Sequence, residues 1–208
     1  MSVMASSRPF EPGTTGWTAQ DLEDAQIAEK WFQGAYEIID GVLTTMAPAY
    51  FHGMRPLEEL VFLLKAHQKE CGLPNSFAHE IDIIIDDDRV VRADTVWMTP
   101  EDQQRQREAM AVVGKSDPER TRVLTAPSLI IESISPGHER HDEKTKRRWY
   151  AEFGVPNYWI LNSFTRSLKC LVRDAGDYRV DAEGRESDEL RPTLFPGLTI
   201  SLTQLWHE

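Results

Sequence analysis

The order of segments along the chain predicts one domain built on a mixed α/β or α+β sheet. Three observations lead to this prediction: a hairpin over residues 36–46, a continuous apolar strand over 128–134, and a helix over about 139–153 followed by another strand. A helix between two strands is typical of sheets that carry helices on their faces. The 208 residues suffice for one sizeable core and are too few for two.

The first residues are expected to be loose. Residues 1–20 are rich in Ser, Pro, Gly and Thr, so we predict a flexible N-terminal arm, followed by a single domain over 21–208. Thr18, with Asp21 three residues later, is a plausible N-cap for a short helix. In the 36–46 hairpin, β-rich runs flank Asp40-Gly41, a strong short-range turn signal.

The remaining elements follow from periodicity and from chain-breaking residues. Apolar residues at helical spacing predict a helix over 56–69, and two β-rich runs predict a second hairpin, 77–85 with 90–98. The three acids of its turn, Asp86 to Asp88, are interpreted as solvated. Further predictions are a helix over 101–110, the strand over 128–134, the helix over 139–153, and strands over 157–162, 167–172, 178–180 and 198–202.

Composition excludes several classes of protein. No apolar run is long enough for a membrane span, and the N-terminus lacks the apolar stretch of a signal peptide. Cys71 and Cys170 are far apart and have no metal-ligand spacing, which favours reduced thiols and a cytoplasmic protein. The formal net charge of -11 argues against a broad, non-specific nucleic-acid binder.

Two carboxylates lie in strands that should be buried. Glu132 interrupts the apolar run between Pro127 and Pro136, and Asp94 lies in the strand over 90–97. A buried carboxylate is usually paired, hydrogen-bonded or bound to a metal ion. If the two strands are neighbours, both acids could hold a hard cation such as magnesium, with the carbonyl of Ser133 as a further ligand.

Strand alternation refines this hypothesis, and the following helix supplies a cation. Alternation places Arg92, Asp94 and Val96 on one face of their strand and Glu132 on a face with Ile130 and Ile134. Lys146 shares a helical stripe with Asp142 and Tyr150, beside Trp149 and Phe153, and is expected to point inward. A lysine beside two carboxylates can orient water or stabilise charge on a phosphate.

A purely structural interpretation stays open beside the metal site. Asp142 and Lys146 could form a helical ion pair, while Arg92 could neutralise Glu132. The histidines His52, His138 and His141 are interpreted as solvated. A zinc site is not expected, because no cysteine or further histidine lies at ligand spacing.

Several motifs in order resemble one family. They are Tyr36-Glu37-Ile38-Ile39-Asp40-Gly41, Val91-Arg92-Ala93-Asp94, Ile131-Glu132-Ser133-Ile134-Ser135-Pro136, the stretch from Asp142 to Lys146, and Gly154-Val155-Pro156-Asn157-Tyr158-Trp159. Together they resemble the Uma-type restriction-endonuclease-like family, formerly domain of unknown function 820, of the PD-(D/E)XK nuclease superfamily.

The resemblance implies a restriction-endonuclease-like core flanked by helices, with extra N- and C-terminal strands. It implies magnesium, with manganese as a substitute, and matches Asp94 to the motif aspartate, Glu132 to the second acid and Glu37 to an early glutamate. Ala93 stands where the motif has proline. Ile134 stands where the motif has lysine, and Lys146 on the helix matches the family's lysine instead.

These observations predict a magnesium-dependent endonuclease acting on DNA. Asp94, Glu132, Lys146 and Glu37 are its expected catalytic residues, and Asp94, Glu132 and Ser133 its expected metal ligands. The alternative is a catalytically silent binding or regulatory module that keeps the nuclease fold. We also expect a homodimer, because cutting both strands of a duplex generally takes two active sites.

Overall fold

A computed structural model describes residues 8–46, 51–73, 76–112, 122–134 and 141–206, with the backbone alone at 51–53 and 141–143. The side chains of His52, His138, His141 and Asp142 lie outside the described residues. So does the predicted start of the fourth helix at residue 139.

Residues 15–17 pack against the first hairpin. Trp17 is buried, and Thr15 bridges to Val42. A 3₁₀ helix over Ala19–Glu23 begins at Thr18, whose backbone N–H donates to the Asp21 carboxylate at 2.8 Å, so the predicted cap is confirmed. Helix α1 follows over Ala25–Gln33.

The two predicted hairpins are both present. Strands β1 (Tyr36–Ile39) and β2 (Val42–Thr45) flank Asp40 and Gly41, which have φ angles of 49° and 75°. Two consecutive positive φ angles fit the type I′ turn that the Asp-Gly pair predicts. Strands β3 (Phe77–Asp86) and β4 (Arg89–Trp97) form the second hairpin.

The helices differ from the prediction mainly at their starts. Helix α2 covers Phe51–Glu70, so it begins before the predicted residue 56 and carries Pro56 inside it. Helix α3 covers Pro100–Val112. A π-helical turn over His141–Lys146 continues into α4 over Arg147–Phe153. Gly154, with φ of 96°, ends α4 in the left-handed conformation that glycine adopts without steric cost.

The remaining strands extend the sheet. They are β5 (Arg122–Val123), β6 (Leu129–Ser133), β7 (Asn157–Asn162), β8 (Ser167–Asp174), β9 (Asp177–Arg185), β10 (Glu189–Leu190) and β11 (Ile200–Ser201). The predicted closing strand over 198–202 is therefore only two residues long. It runs directly into the short helix α5, Leu202–Leu205.

Within the part of the chain that the structure describes, nine strands form one mixed sheet. Its main path runs β2-β1-β4-β6-β7-β8-β9, with β3 on β4 and β5 on β3. Strands β6 and β7 are parallel, and β4 is antiparallel to β6. Helix α4 makes the crossover from β6 to β7, the connection that parallel neighbours need. The predicted mixed α+β fold class is confirmed.

The sheet separates two large apolar clusters. One includes Trp149 and Tyr150 of α4, and the other includes Leu60 and Leu64 of α2 with residues of α5. A third cluster, around Trp17 and Trp31, closes the end of the first hairpin. With helices on both faces, β6 is buried on both sides, which explains its continuous apolar run.

Candidate active site

The candidate site lies in a gap along one edge of β4. Strand β3 pairs along the full length of β4. On the opposite edge β1 pairs at Val90, and β6 pairs only from Thr95 to Trp97. Among the described strands, none pairs with the main chain of β4 between these contacts on this edge, and side chains take its hydrogen bonds.

Three of these bonds involve the predicted site residues. The backbone N–H of Arg92 donates to Oε1 of Glu37 at 3.2 Å, and the Arg92 carbonyl accepts from Nζ of Lys146 at 3.2 Å. The N–H of Asp94 donates to Oε2 of Glu132 at 3.4 Å. The gap therefore gathers Glu37, Glu132 and Lys146 around four residues of β4.

Glu132 is buried and surrounded by donors. The side chain is 2% exposed, and its Oε1 accepts from Lys146 Nζ at 3.2 Å and from the Tyr150 hydroxyl at 2.7 Å. Burial, opposed by Lys146 and reinforced by Asp94, raises the pKa of Glu132 to about 7. A carboxyl with this pKa sits at the border between its neutral and charged forms at neutral pH.

Lys146 points inward from the end of the π-helical turn, as its helical stripe predicts. Its side chain is 5% exposed. Besides the Arg92 carbonyl, Nζ lies 3.2 Å from Oε1 of Glu37 and 3.2 Å from Oε1 of Glu132. An ammonium group has three N–H donors, and these three acceptors match their number.

Asp94 and Ser133 lie where β4 and β6 stop pairing. Extending the register beyond the Thr95–Ile131 pair places Asp94 opposite Glu132. Here the Ser133 N–H donates to Oδ2 of Asp94 at 2.6 Å, while Glu132 takes the Asp94 N–H. Each strand thus satisfies a backbone donor with the carboxylate of the other, and the two predicted metal-binding acids are neighbours.

The strand alternation predicted around Asp94 is wrong. Val96 packs in the same apolar cluster as Val91 and Ala93, although it was predicted to share a face with Arg92 and Asp94. The pairing of β3 with β4 skips the step opposite Asp94, where Glu80 has a φ of 47°. The change of face between Ala93 and Val96 coincides with this interrupted step, although the register is the same on both sides of it.

The predicted bridge between Arg92 and Glu132 is also wrong. Arg92 Nε donates instead to Oδ1 of Asp82 at 2.8 Å, and Oδ2 of Asp82 accepts from the Trp31 indole at 2.7 Å. Asp82 is 3% exposed and belongs to β3. The Asp82–Arg92 pair therefore forms a second buried charge cluster, on the side of α1.

The site carries more acids than cations. Glu37 and Asp94 both act on Glu132 to raise its pKa, and Lys146 is the cation that opposes them. Excess negative charge in a buried site is compatible with a divalent cation, and carboxylate and carbonyl oxygens are the ligands that magnesium prefers. The donor set of Asp94, Glu132 and the Ser133 carbonyl fits such an ion.

Glu37 is not placed as a further ligand. Within the described residues, no group of three or more His, Cys, Asp or Glu side chains could hold a metal ion. A cation at this site would therefore rely on two carboxylates, a carbonyl and water. Magnesium, which retains several waters when it binds proteins, suits so small a protein ligand set.

Two supporting residues were not predicted as part of the site. Tyr150 was placed on the inward stripe of α4 without a role, and Asp82 had no signal beyond a lone acid in an apolar strand. Both contribute through contacts between elements distant in sequence. Their partners, Glu132 and Arg92, could not be assigned before the sheet order was known.

The fold has a nuclease-like relative among solved structures. The crystal structure of a protein from Anabaena variabilis, described as a "putative nuclease belonging to DUF820", superposes with a TM-score of 0.61 at 17% sequence identity. The match covers 84% of this chain and 90% of that one. The architecture is therefore that of a nuclease-like mixed sheet.

The family follows from the sequence match. Residues 26–203 match the model of the Uma2 family, described as "Putative restriction endonuclease", and the chain belongs to this family. The resemblance drawn from the motifs is thereby confirmed. No curated protein matches the chain. Among the described residues, no helix is both long and apolar enough to cross a membrane.

Proposed function

We propose that this protein is a magnesium-dependent endonuclease that hydrolyses phosphodiester bonds of DNA, with manganese as a substitute cation. The observation that supports this function best is the meeting of Asp94 and Glu132 at the end of the β4–β6 ladder, beside the buried Lys146. Family membership supports a nuclease. Cation and substrate are inferred from the chemistry of the site.

Asp94, Glu132 and the Ser133 carbonyl would hold the cation. Ser133 and Asp94 are both partly exposed, whereas Glu132 is buried, so the approach for a substrate lies on the Asp94 side. A divalent cation, when bound, polarises a phosphoryl oxygen and acidifies water. Glu132 contributes as a charged ligand, which requires that it lose its proton near neutral pH.

Lys146 is proposed to hold the attacking water and to offset charge on the phosphate. Because Nζ of Lys146 lies within reach of Glu37, Glu132 and the Arg92 carbonyl, a water at this lysine would compete with these acceptors. Glu37 is the auxiliary acid in this scheme. It keeps the charge of Lys146 compensated within the site while the lysine engages the water.

Cleavage of supercoiled plasmid with magnesium or manganese tests the proposal. Wild type is expected to cleave, Asp94→Asn to be inactive, and Lys146→Met to lose about a hundredfold or more, the usual range for a proton-handling group. Lys144→Met is the matched control, because Lys144 is exposed and lies two residues before Lys146 in the same π-helical turn. It should cleave like wild type.

The structure adds a necessary check on Lys146→Met. The structure shows Lys146 between two buried carboxylates. Removing the ammonium group leaves both carboxylates without this counter-charge, which is destabilising. Cleavage must therefore be compared below the melting temperature of the variant. Equal cleavage by Lys146→Met and wild type would contradict the role of the lysine.

A catalytically silent module is the second candidate function. It is favoured by the same contacts of Lys146, because a lysine that lies between two buried carboxylates and a backbone carbonyl also serves as a structural bridge. If wild type cleaves duplex DNA, single-stranded DNA and RNA no faster than Asp94→Asn, the silent module is the better function for this fold.

We further propose a homodimer in the cytoplasm. Two sites are needed to cut both strands of a duplex, and two-fold dimers are the commonest oligomers. The cysteines, Cys71 and Cys170, are both free, which agrees with a reducing compartment. Light scattering that gives a monomer mass across micromolar concentrations would contradict the dimer.

A further inference from the structure

The oxygen of Glu132 that contacts Lys146 has a second, neutral donor. The Tyr150 hydroxyl donates to Oε1 of Glu132 at 2.7 Å, which is shorter than the 3.2 Å from Lys146 Nζ to the same atom. Oε2, on the other side of the carboxylate, accepts from the Asp94 N–H at 3.4 Å. The two donors on Oε1 thus leave Oε2 as the oxygen on the Asp94 side.

The position of the Tyr150 hydroxyl is fixed by packing. Tyr150 is completely buried, and its ring meets the ring of Tyr158 edge-on, with centroids 5.2 Å apart. Tyr158 belongs to β7, which runs parallel to β6, and Tyr158 is paired with Ile130 of β6. The Tyr150 carbonyl accepts from the N–H groups of Gly154 and Val155, which holds the end of α4.

We infer that Tyr150 is a positioning residue of the proposed metal site. Its hydroxyl holds Oε1 of Glu132, so that Oε2 is presented beside Asp94 whether Lys146 donates to Glu132 or turns to a water. This inference rests on the proposed function. If the lysine leaves Glu132 during the reaction, Oε1 of Glu132 needs a second donor, because a buried oxygen that loses its only donor is destabilised.

A structural interpretation of the same hydrogen bond makes a different prediction. A buried tyrosine hydroxyl needs some acceptor, and Glu132 could serve only as that acceptor. In that case, removing the hydroxyl should change stability and leave cation affinity intact. If Tyr150 positions a ligand, cation affinity should fall, because donors to metal-binding carboxylates usually contribute about 10- to 100-fold to affinity.

Tyr178 offers a matched control. It belongs to the same apolar cluster, and its hydroxyl donates at 2.8 Å to the carbonyl of Val155, away from Glu132. Its ring lies 5.8 Å from that of Tyr158. Tyr178→Phe and Tyr150→Phe therefore each remove one buried hydroxyl and keep the aromatic packing, but only Tyr150→Phe removes a donor to Glu132.

Calorimetric titration of manganese into the 208-residue chain tests the inference. Tyr150→Phe should bind manganese about 10- to 100-fold more weakly than wild type, whereas Tyr178→Phe should bind like wild type. In a Glu132→Gln background, Tyr150→Phe should cause no further loss, because the hydroxyl then has no ligand to orient. Saturating manganese should restore cleavage by Tyr150→Phe towards the wild-type rate.

Three outcomes for the variants would overturn the inference. Wild-type affinity in Tyr150→Phe would show that the hydroxyl orients no ligand. An equal loss in Tyr178→Phe would assign the effect to looser packing of the cluster, and an undiminished loss in the Glu132→Gln background would assign it to another partner. If wild type binds manganese but cuts no nucleic acid, the nuclease proposal fails while the role of Tyr150 stands. If wild type binds no manganese, both fail.

Discussion

Two buried charge clusters lie side by side on β4, and Arg92 belongs to both. Through its side chain it joins a cluster of one acid and one cation, in which Asp82 also accepts from the Trp31 indole. Through its main chain it joins the site, where Glu37, Asp94 and Glu132 face Lys146. The first cluster is balanced in charge, whereas the second has an excess of acids.

The difference separates a structural cluster from a candidate binding site. In a buried pair of one acid and one cation, the two charges neutralise each other. When the other polar atoms of the pair are hydrogen-bonded, the pair needs no ligand. In the site, burial and the neighbouring acids raise the pKa of Glu132 to about 7, so the charged form is unfavourable without a further cation. Functional sites often hold such perturbed groups.

The largest effect is expected in the balanced cluster. Asp82→Asn leaves the Arg92 guanidinium, which is 14% exposed, without its anionic partner. Breaking a buried pair in this way typically costs about 3–5 kcal/mol. Urea unfolding at pH 8 should show this loss, and manganese should not restore it. A loss below about 1 kcal/mol, within the range of surface pairs, would mean that the two clusters do not differ as described.

Glu132 should contribute to the pH dependence of the stability of the metal-free protein. The pKa of Glu132 is raised by folding from 4.5 to about 7, so the native state binds the extra proton. The resulting stability is fully present below pH 4.5 and is lost as pH rises to about 7. At 1.36 kcal/mol per pKa unit, the change is ~3 kcal/mol.

Glu132→Gln should remove this part of the pH dependence. Its side chain cannot ionise, so with EDTA present its stability relative to wild type should increase between pH 5 and pH 8. Urea unfolding of both proteins at the two pH values measures the difference. A constant difference across this range would show that Glu132 titrates in the native state as it does in the unfolded chain.

Cation binding should raise the free energy of unfolding, whereas deprotonation of Glu132 lowers it. A ligand that binds only the native state at a hundred times its Kd adds about 2.7 kcal/mol, and each kcal/mol raises the melting temperature of a chain of this size by roughly 2–4 °C. Millimolar manganese should therefore raise the melting temperature of wild type more than that of Glu132→Gln. Equal shifts in the two proteins would exclude a shared site at Asp94 and Glu132.

The smallest effect is expected for the neighbouring lysine. Lys144 is exposed, and substitutions at such positions usually change stability by less than about 0.5 kcal/mol. Lys144→Met should melt within about a degree or two of wild type. A clear destabilisation would mean that the inward and outward faces of the π-helical turn are not those described.

The local sequence pattern was sufficient for the two hairpins, the buried strand β6 and the acids. A glutamate inside the apolar run of β6 and an aspartate in β4 stood out because burial of an ionised group requires a partner. The stripe shared by Lys146 and Tyr150 indicated an inward lysine because side chains four residues apart lie on one helix face. The Asp-Gly turn fixed the first hairpin for the same local reason.

The partners of these residues could not be read from the sequence, since they depend on strand order and register. Arg92 has a choice of buried acids, and only the pairing of β3 with β4 places Asp82 rather than Glu132 beside it. The interrupted pairing at Glu80, and the change of face along β4 that coincides with it, also had no signal in the sequence. The gap between β1 and β6 on the edge of β4 arises from contacts across the whole chain.

Calorimetric titration of manganese into wild type, Asp94→Asn and Glu132→Gln tests most directly whether the acid-rich cluster is a cation site. Glu186→Gln is the control, because Glu186 is 61% exposed and pairs with Arg166. We expect one saturable site in wild type and in Glu186→Gln, and weaker binding in both site variants. Unchanged binding in Asp94→Asn and Glu132→Gln, or no binding in wild type, would contradict a cation site formed by these two carboxylates.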